Sequence, residues 1–325
     1  MDERRSNLSR AIGPAAVLGA ALLWGTVGPA QVLAASEVDP GSLGVARLLV
    51  GGAALALFCP RPAAWWRVLR SDVIGWVLLA ALATGVYQVT FMHAVDQLGA
   101  GLGTVIALGV APVATGICAR WWTRDRMTLG WVISTATAVV GCAVLLDPWD
   151  AAGAVGAEAT GVGIALVSGV CYGVYTVAAK RFLSTGVPAL PATSFTLILA
   201  GILLSPIIVL HPAHLMDADA LMLIGWTGLA GTAQAHALFV YGLRLTTAPL
   251  AGTLSLAEPL LAAVLGFVVL QERITVSALI GCSLMIAGLV AVTAVDARRG
   301  RRRPRQRTPG ERTISSGPGP PRRPV

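Results

Sequence analysis

The stretch SLAEPLLAAVLGFVVLQERIT, residues 255–275, places a carboxylate, Glu258, in the middle of an apolar run that ends at Leu270. Near the centre of a membrane-spanning helix such a group costs about 2.5–3.5 kcal/mol on insertion scales, and it usually faces a cavity or a partner. Pro259 follows it directly, so the helix is expected to bend there and free a carbonyl at mid-depth. Reading this run as a span, and asking what pairs with it, decides the fold.

Outward from that run the chain continues in the same character. Of its 325 residues 55% are hydrophobic and only 12% charged, with a mean hydropathy of +0.74. An ordinary soluble domain carries about 25% charge, so that class is excluded. Apolar runs long enough to cross roughly 30 Å of hydrocarbon fall at 11–34, 41–60, 72–94, 98–119, 127–146, 159–179, 189–210, 219–243, 246–270 and 273–295. The expected fold is therefore an all-α polytopic membrane protein with ten transmembrane helices. The loops are too short to hold a soluble domain. The first run follows Arg4 and Arg5 like a secretory signal, but it is too long and is interrupted by Trp24-Gly25 and Gly28-Pro29, so it reads as a retained helix.

With both termini in the cytoplasm, 22 of the 24 basic residues fall in inner segments, which the Lys/Arg rule favours. Only Arg273 sits in an outer loop, and Arg47 lies within a span. A multi-pass protein of the cell membrane is expected. Residues 296–325 hold ten arginines among Pro, Gly and Ser. They read as a disordered tail suited to an anionic lipid surface rather than to nucleic acid. The five cysteines fall in or beside apolar runs, with no CxxC pair or Cys/His cluster, so no metal site or disulfide framework is indicated.

The chain is also written twice. At an offset of 147, GVAPVATG (109–116) falls on LAEPLLAA (256–263), RDRMT (124–128) on QERIT (271–275), and VVGCAVLL (139–146) on IAGLVAVT (286–293). One residue out of register, Trp24-Gly25 falls on Tyr172-Gly173. Two five-helix repeats, 11–146 and 159–295, follow a short tail at 1–10. An odd number of spans inserts the second repeat upside down, which places sites near the midplane where the halves meet.

These residues resemble a known family. ALLWGTVGPA (21–30), VARLLVGGAAL (45–55), IALGVAPVATG (106–116) and LSLAEPLLAAVLGFVVLQERITVSALIGCSLMIAGLV (254–290) together are similar to EamA-type members of the drug/metabolite transporter superfamily. The resemblance covers about residues 14–295, with Asp125 where the second copy has Glu272. It implies a central cavity and proton- or gradient-driven movement of small metabolites, often outward, with cargoes that range over amino acids, nucleosides and drugs. It names no cofactor.

Candidate site residues come from polar groups at membrane depth. Glu258 leads as coupling or substrate-binding acid, since its repeat counterpart is Ala111 and symmetry does not require the charge. Arg47 either snorkels to the interface or holds a carboxylate in the cavity. Trp24, Tyr87, Gln88, Tyr172, Tyr175, Gln234 and His236 are candidates for the cavity wall, and Pro112 and Pro259 for bends beside it. Asp125 and Glu272 read as openers of the fifth and tenth helices, where a carboxylate offsets the macrodipole. Gly99 and Gly103 allow close internal packing, or a homodimer. The rival readings are a polytopic membrane enzyme and a transport-dead scaffold. The enzyme reading needs facing catalytic groups, but no GxSxG, HExxH or paired-carboxylate motif occurs. No GxxxxGK[ST] occurs either, so ATP is not the direct driver.

Overall fold

The computed structural model describes residues 2–302 apart from 60, 71, 126 and 147–158, and every regular element in them is helical. The Arg-rich residues from 303 onward, Arg126 of the repeated motif and residues 147–158 lie outside the described residues. In chain order the helices are α1 (Asp2–Gly25), α2 (Val27–Ala34), α3 (Pro40–Leu57), α4 (Pro62–Leu69), α5 (Ile74–Gly99), α6 (Gly101–Trp122) and α7 (Leu129–Leu145). After residues 147–158 come α8 (Ala159–Ser184), α9 (Ala189–Leu210), α10 (Ala218–Gly228), α11 (Ala235–Leu245), α12 (Ala248–Leu254), α13 (Ala257–Val268) and α14 (Val276–Arg302).

Among the described residues, eight stretches are long and apolar enough to cross a membrane, counting α1–α2 and α12–α13 each as one. The two other expected spans take different forms. The 127–146 run is a shorter apolar helix of 17 residues, α7. The 219–243 run is interrupted by a π-helical turn, Leu229–Gln234, between α10 and α11. Large apolar side chains such as Leu33, Leu82, Ile133, Leu203 and Val290 stand exposed on the outside of the bundle, the surface a bilayer would cover.

The repeated Thr of RMT and RIT has a local explanation. Thr128 Oγ1 accepts from the Trp131 amide at 3.2 Å and Thr275 Oγ1 from the Ala278 amide at 3.1 Å, so each caps the helix that follows it. Asp125 and Glu272 therefore do not open those helices; each lies three residues before the cap. Asp125 instead accepts from the Thr123 hydroxyl at 2.9 Å.

Glycines mark where helices cross, and the crossings come in matched pairs. A Cβ added at Gly141 would sit 2.6 Å from the Met285 amide nitrogen and 2.8 Å from the Gly281 oxygen. One added at Gly288 would sit 2.6 Å from the Ala138 nitrogen and 2.8 Å from the Ser134 oxygen. Each glycine thus meets residues earlier in the partner helix, so α7 and α14 cross antiparallel. Likewise a Cβ added at Gly25 of α1 would sit 2.6 Å from the Glu258 oxygen, and one at Gly173 of α8 would sit 2.6 Å from the Thr115 nitrogen of α6. Gly13 meets Leu245 and Thr246, and Gly161 meets Gln97 and Leu98. First helices of one half pack on third and fourth helices of the other. Gly103 packs on Ala94 within its own hairpin, and the turn between α5 and α6 needs Gly99 at φ 79°.

One end of the bundle is closed. Val17, Val177, Phe182, Phe239, Leu250 and Leu254 are buried there in a single cluster. Lys180, the only lysine, donates to the Leu243 and Thr246 oxygens at 2.7 and 2.5 Å, covering the C-terminal carbonyls of α11.

Candidate functional site

Between the halves lies a cavity of about 850 Å³, in the upper range of small-molecule sites at roughly 300–1,000 Å³. Three interrupted helices frame it. The first breaks at Gly25-Thr26 between α1 and α2, the second at the π turn, and the third at Ser255-Leu256 between α12 and α13. The third break follows from Pro259. It has no N–H to give the Ser255 carbonyl four residues back, so the Glu258 amide takes that carbonyl at 3.0 Å in a tighter turn. Glu258 thereby sits in the first turn of a half-helix, α13, at membrane depth. Discontinuous helices of this kind build sites by exposing their ends inside the bundle.

Of the residues singled out from sequence, Trp24, Arg47, Tyr87, Gln88, Tyr172, Tyr175, His236, Glu258 and Pro259 line the cavity. Two do not. Pro112 is buried inside α6, away from the lining. Gln234 is exposed on the outer face; it lies two residues from both Thr232 and His236, about half a helical turn from the inward face they share.

The wall is aromatic. Tyr87 and Tyr172 meet edge to face at 5.9 Å, Trp24 and Tyr172 at 6.5 Å, and Trp24 and His236 at 5.5 Å. Tyr87 stacks on Phe91 at 5.7 Å. These separations fit the favoured range of about 4.5–7 Å. His236 Nδ1 donates to the Thr232 carbonyl at 2.8 Å, which fixes its proton on that nitrogen and its ring on the cavity side. The Tyr172 hydroxyl donates to Ser255 Oγ at 2.6 Å, and Ser255 donates in turn to the Ala251 carbonyl at 3.1 Å. Tyr172 is thus tied to the break beside Glu258.

Two charges share this space. Arg47 Nη2 donates to Gln88 Oε1 at 2.9 Å, so its head points inward rather than along the lipid. Glu258 is half-buried. Among the described residues neither belongs to an ion pair.

The cavity reaches the loops at one end only. Ser36, Val38, Leu146, Glu272, Arg273 and Thr275 form its rim, opposite the end that Lys180 closes. Beside the rim, His214 Nδ1 and Asp217 share a 2.9 Å hydrogen bond, with Glu37 3.6 Å from Nε2. The bond to Asp217 raises the His214 imidazole above its ordinary value.

Several lining residues are not among the cavity candidates read from sequence: Ser255, Thr232, Phe91, Gly44 and the rim pair Glu272-Arg273, of which Glu272 reads there as a helix opener. Helical spacing carried a signal for some. Ser255 precedes Glu258 by three, Gly44 precedes Arg47 by three, and Phe91 follows Tyr87 by four.

The model of the EamA-like transporter family matches residues 11–147 and again 159–294. The chain belongs to the EamA-like transporter family. Within it the chain is 35% identical over 283 residues to the uncharacterized transporter YwfM of Bacillus subtilis (strain 168), covering 86% of this chain and 92% of that one. A protein named "probable terminal-alkyne amino-acid exporter" from Streptantibioticus cattleyicolor is 27% identical over 301 residues, 91% of this chain and 94% of its own. A solved structure titled "Crystal structure of protein" aligns with a TM-score of 0.73 at 21% identity, covering 90% of this chain and 99% of that one. That last likeness concerns the fold. The EamA-like chain is a multi-pass membrane transporter, and its family points away from an enzyme.

Proposed function

We propose that the protein is a gradient-driven exporter of small zwitterionic metabolites, amino acids or close relatives, built as two inverted five-helix repeats with ten spans. The antiparallel crossing of α7 and α14 supports the inversion, because equivalent helices run antiparallel only about an axis in the membrane plane. In this reading α7 and the interrupted α10–α11 complete the ten, and both termini face the cytoplasm. The cavity then opens to the outside, and the basic tail lies against anionic lipid.

The observation that carries the cargo class is the pair of unpaired, opposite charges in one aromatic-walled cavity. Arg47 offers a fork that matches a carboxylate. Glu258 and the faces of Trp24, Tyr87 and Tyr172 suit an ammonium group. The rings between them take an apolar side chain. Glu258 gains a proton when the ammonium leaves and gives it up when the next one arrives, so cargo and proton move in opposite directions. The relative named a probable terminal-alkyne amino-acid exporter supports this reading.

The test is counterflow in liposomes with the purified protein and a panel of amino acids, amines and nucleosides. Exchange of amino acids above the other classes supports the reading. Exchange confined to nucleosides, or none at all, overturns it.

A further inference from the structure

Arg47 carries five N–H donors in a rigid fork, and among the described residues it has one hydrogen-bond partner, Gln88. Gln88 is itself 4% exposed and sits on α5, across from Arg47 on α3. Its amide lies in a notch of α3 that exists only because residue 44 has no side chain. A Cβ there would collide with Gln88 Nε2 and stand 2.9 Å from its Cδ and 3.3 Å from its Cγ. Gly44 and Arg47 are three residues apart, so one face of α3 supplies both the notch that seats the amide and the cation that the amide holds.

The polarity of the amide matters as much as its place. A carboxylate at this position would form an ion pair with the guanidinium and cancel the charge facing the cavity. A neutral acceptor takes one N–H and leaves the cation's charge and its other donors to a ligand. Two parallel N–H groups are what a carboxylate needs for a two-pronged bond.

From this we infer that Gln88, seated in the Gly44 notch, is the positioning residue of a carboxylate subsite centred on Arg47. The inference rests on the zwitterion reading above and adds a device that sets selectivity: this wall distinguishes an amino acid from its decarboxylated amine. Gln88 acts through Arg47 rather than by touching the cargo.

The experiment compares counterflow of L-leucine with that of 3-methylbutylamine, the same molecule without its carboxylate, in liposomes holding wild type, Gln88→Glu, Gln88→Met or Gly44→Ala. Gln88→Glu is expected to raise the leucine KM at least tenfold, with the amine KM unchanged or lowered. Gln88→Met keeps the bulk without the acceptor. It is expected to raise the leucine KM several-fold at near-constant maximal rate, and Gly44→Ala should do the same by displacing the amide. A merely structural role would move both probes together, and that result overturns the inference. So does a wild-type leucine preference that survives all three variants, which would leave the zwitterion reading standing. Wild type that exchanges neither probe brings down both. If Gln88→Glu fails to insert, Gln88→Met and Gly44→Ala decide by the same comparison.

Discussion

Replacing Gly25 by Ala tests how α1 positions Glu258. The new Cβ would lie 2.6 Å from the Glu258 carbonyl oxygen, 3.0 Å from Leu261 Cβ and 3.3 Å from the Ala262 nitrogen. Two of these three neighbours are backbone, so no flexible side chain can yield. The helices must part by about 0.4–0.8 Å to restore ordinary contact, a shift that overpacking penalties put at roughly 1–3 kcal/mol. Gly173→Ala is the natural control. Its Cβ meets the α6 backbone just as closely, at 2.6 Å from the Thr115 nitrogen, but it meets Ala114 and Thr115 rather than the backbone of a carboxylate-bearing residue. Both variants should lose similar thermal stability in detergent, and Gly25→Ala should lose more transport, by at least fivefold after correction for folded protein. Equal transport in the two variants would refute the claim that this contact sets the carboxylate's place. A stability loss in only one would refute the equivalence of the two crossings.

Further predictions follow from other parts of the molecule. A reporter active only outside the membrane should work when fused within the 147–158 loop and stay silent after Asp296; the reverse pattern rejects the proposed orientation. His214 should titrate above its ordinary value of about 6.5, and Asp217→Asn should bring it back down, as read by NMR. Since the folded value is raised, the His214 link to Glu37 and Asp217 is complete below about pH 6.5 and is lost as pH rises through the raised value. Labelling of a cysteine placed at Ser36 should therefore accelerate over that interval, and a pH-independent rate would count against the link. Lys180→Met should lower stability by roughly 1.5–3 kcal/mol, the range for hydrogen bonds from a charged donor, while Lys180→Arg should retain part of it.

The long spans were legible because crossing a bilayer demands an unbroken apolar run, and helices such as α3, α8 and α9 supply one. Glu258 and the aromatic wall were legible for the complementary reason, that polar and ring-bearing groups are conspicuous in such runs. The interruptions were harder to place. Nothing in LAGTAQ (229–234) marks a π turn, because an extra residue in a helical turn leaves no compositional trace. Polarity alone makes Gln234 a candidate for the cavity wall, and only the helical phase between Thr232 and His236 sends it outward. Asp125 and Glu272 were read as helix openers because charge is more visible than a hydroxyl, yet the threonines three residues on form the caps. Which charges stay unpaired depends on contacts between α3, α5 and α13 that no local pattern encodes.

The central claim is that Glu258 exchanges a proton for cargo within the cavity. Glu258→Gln keeps the shape and hydrogen-bonding capacity while abolishing ionisation. In liposomes with an imposed pH gradient, the account predicts that this variant inserts normally but no longer accumulates amino acid above equilibrium. Wild-type accumulation by the Gln variant, with the same dependence on the gradient, would contradict it.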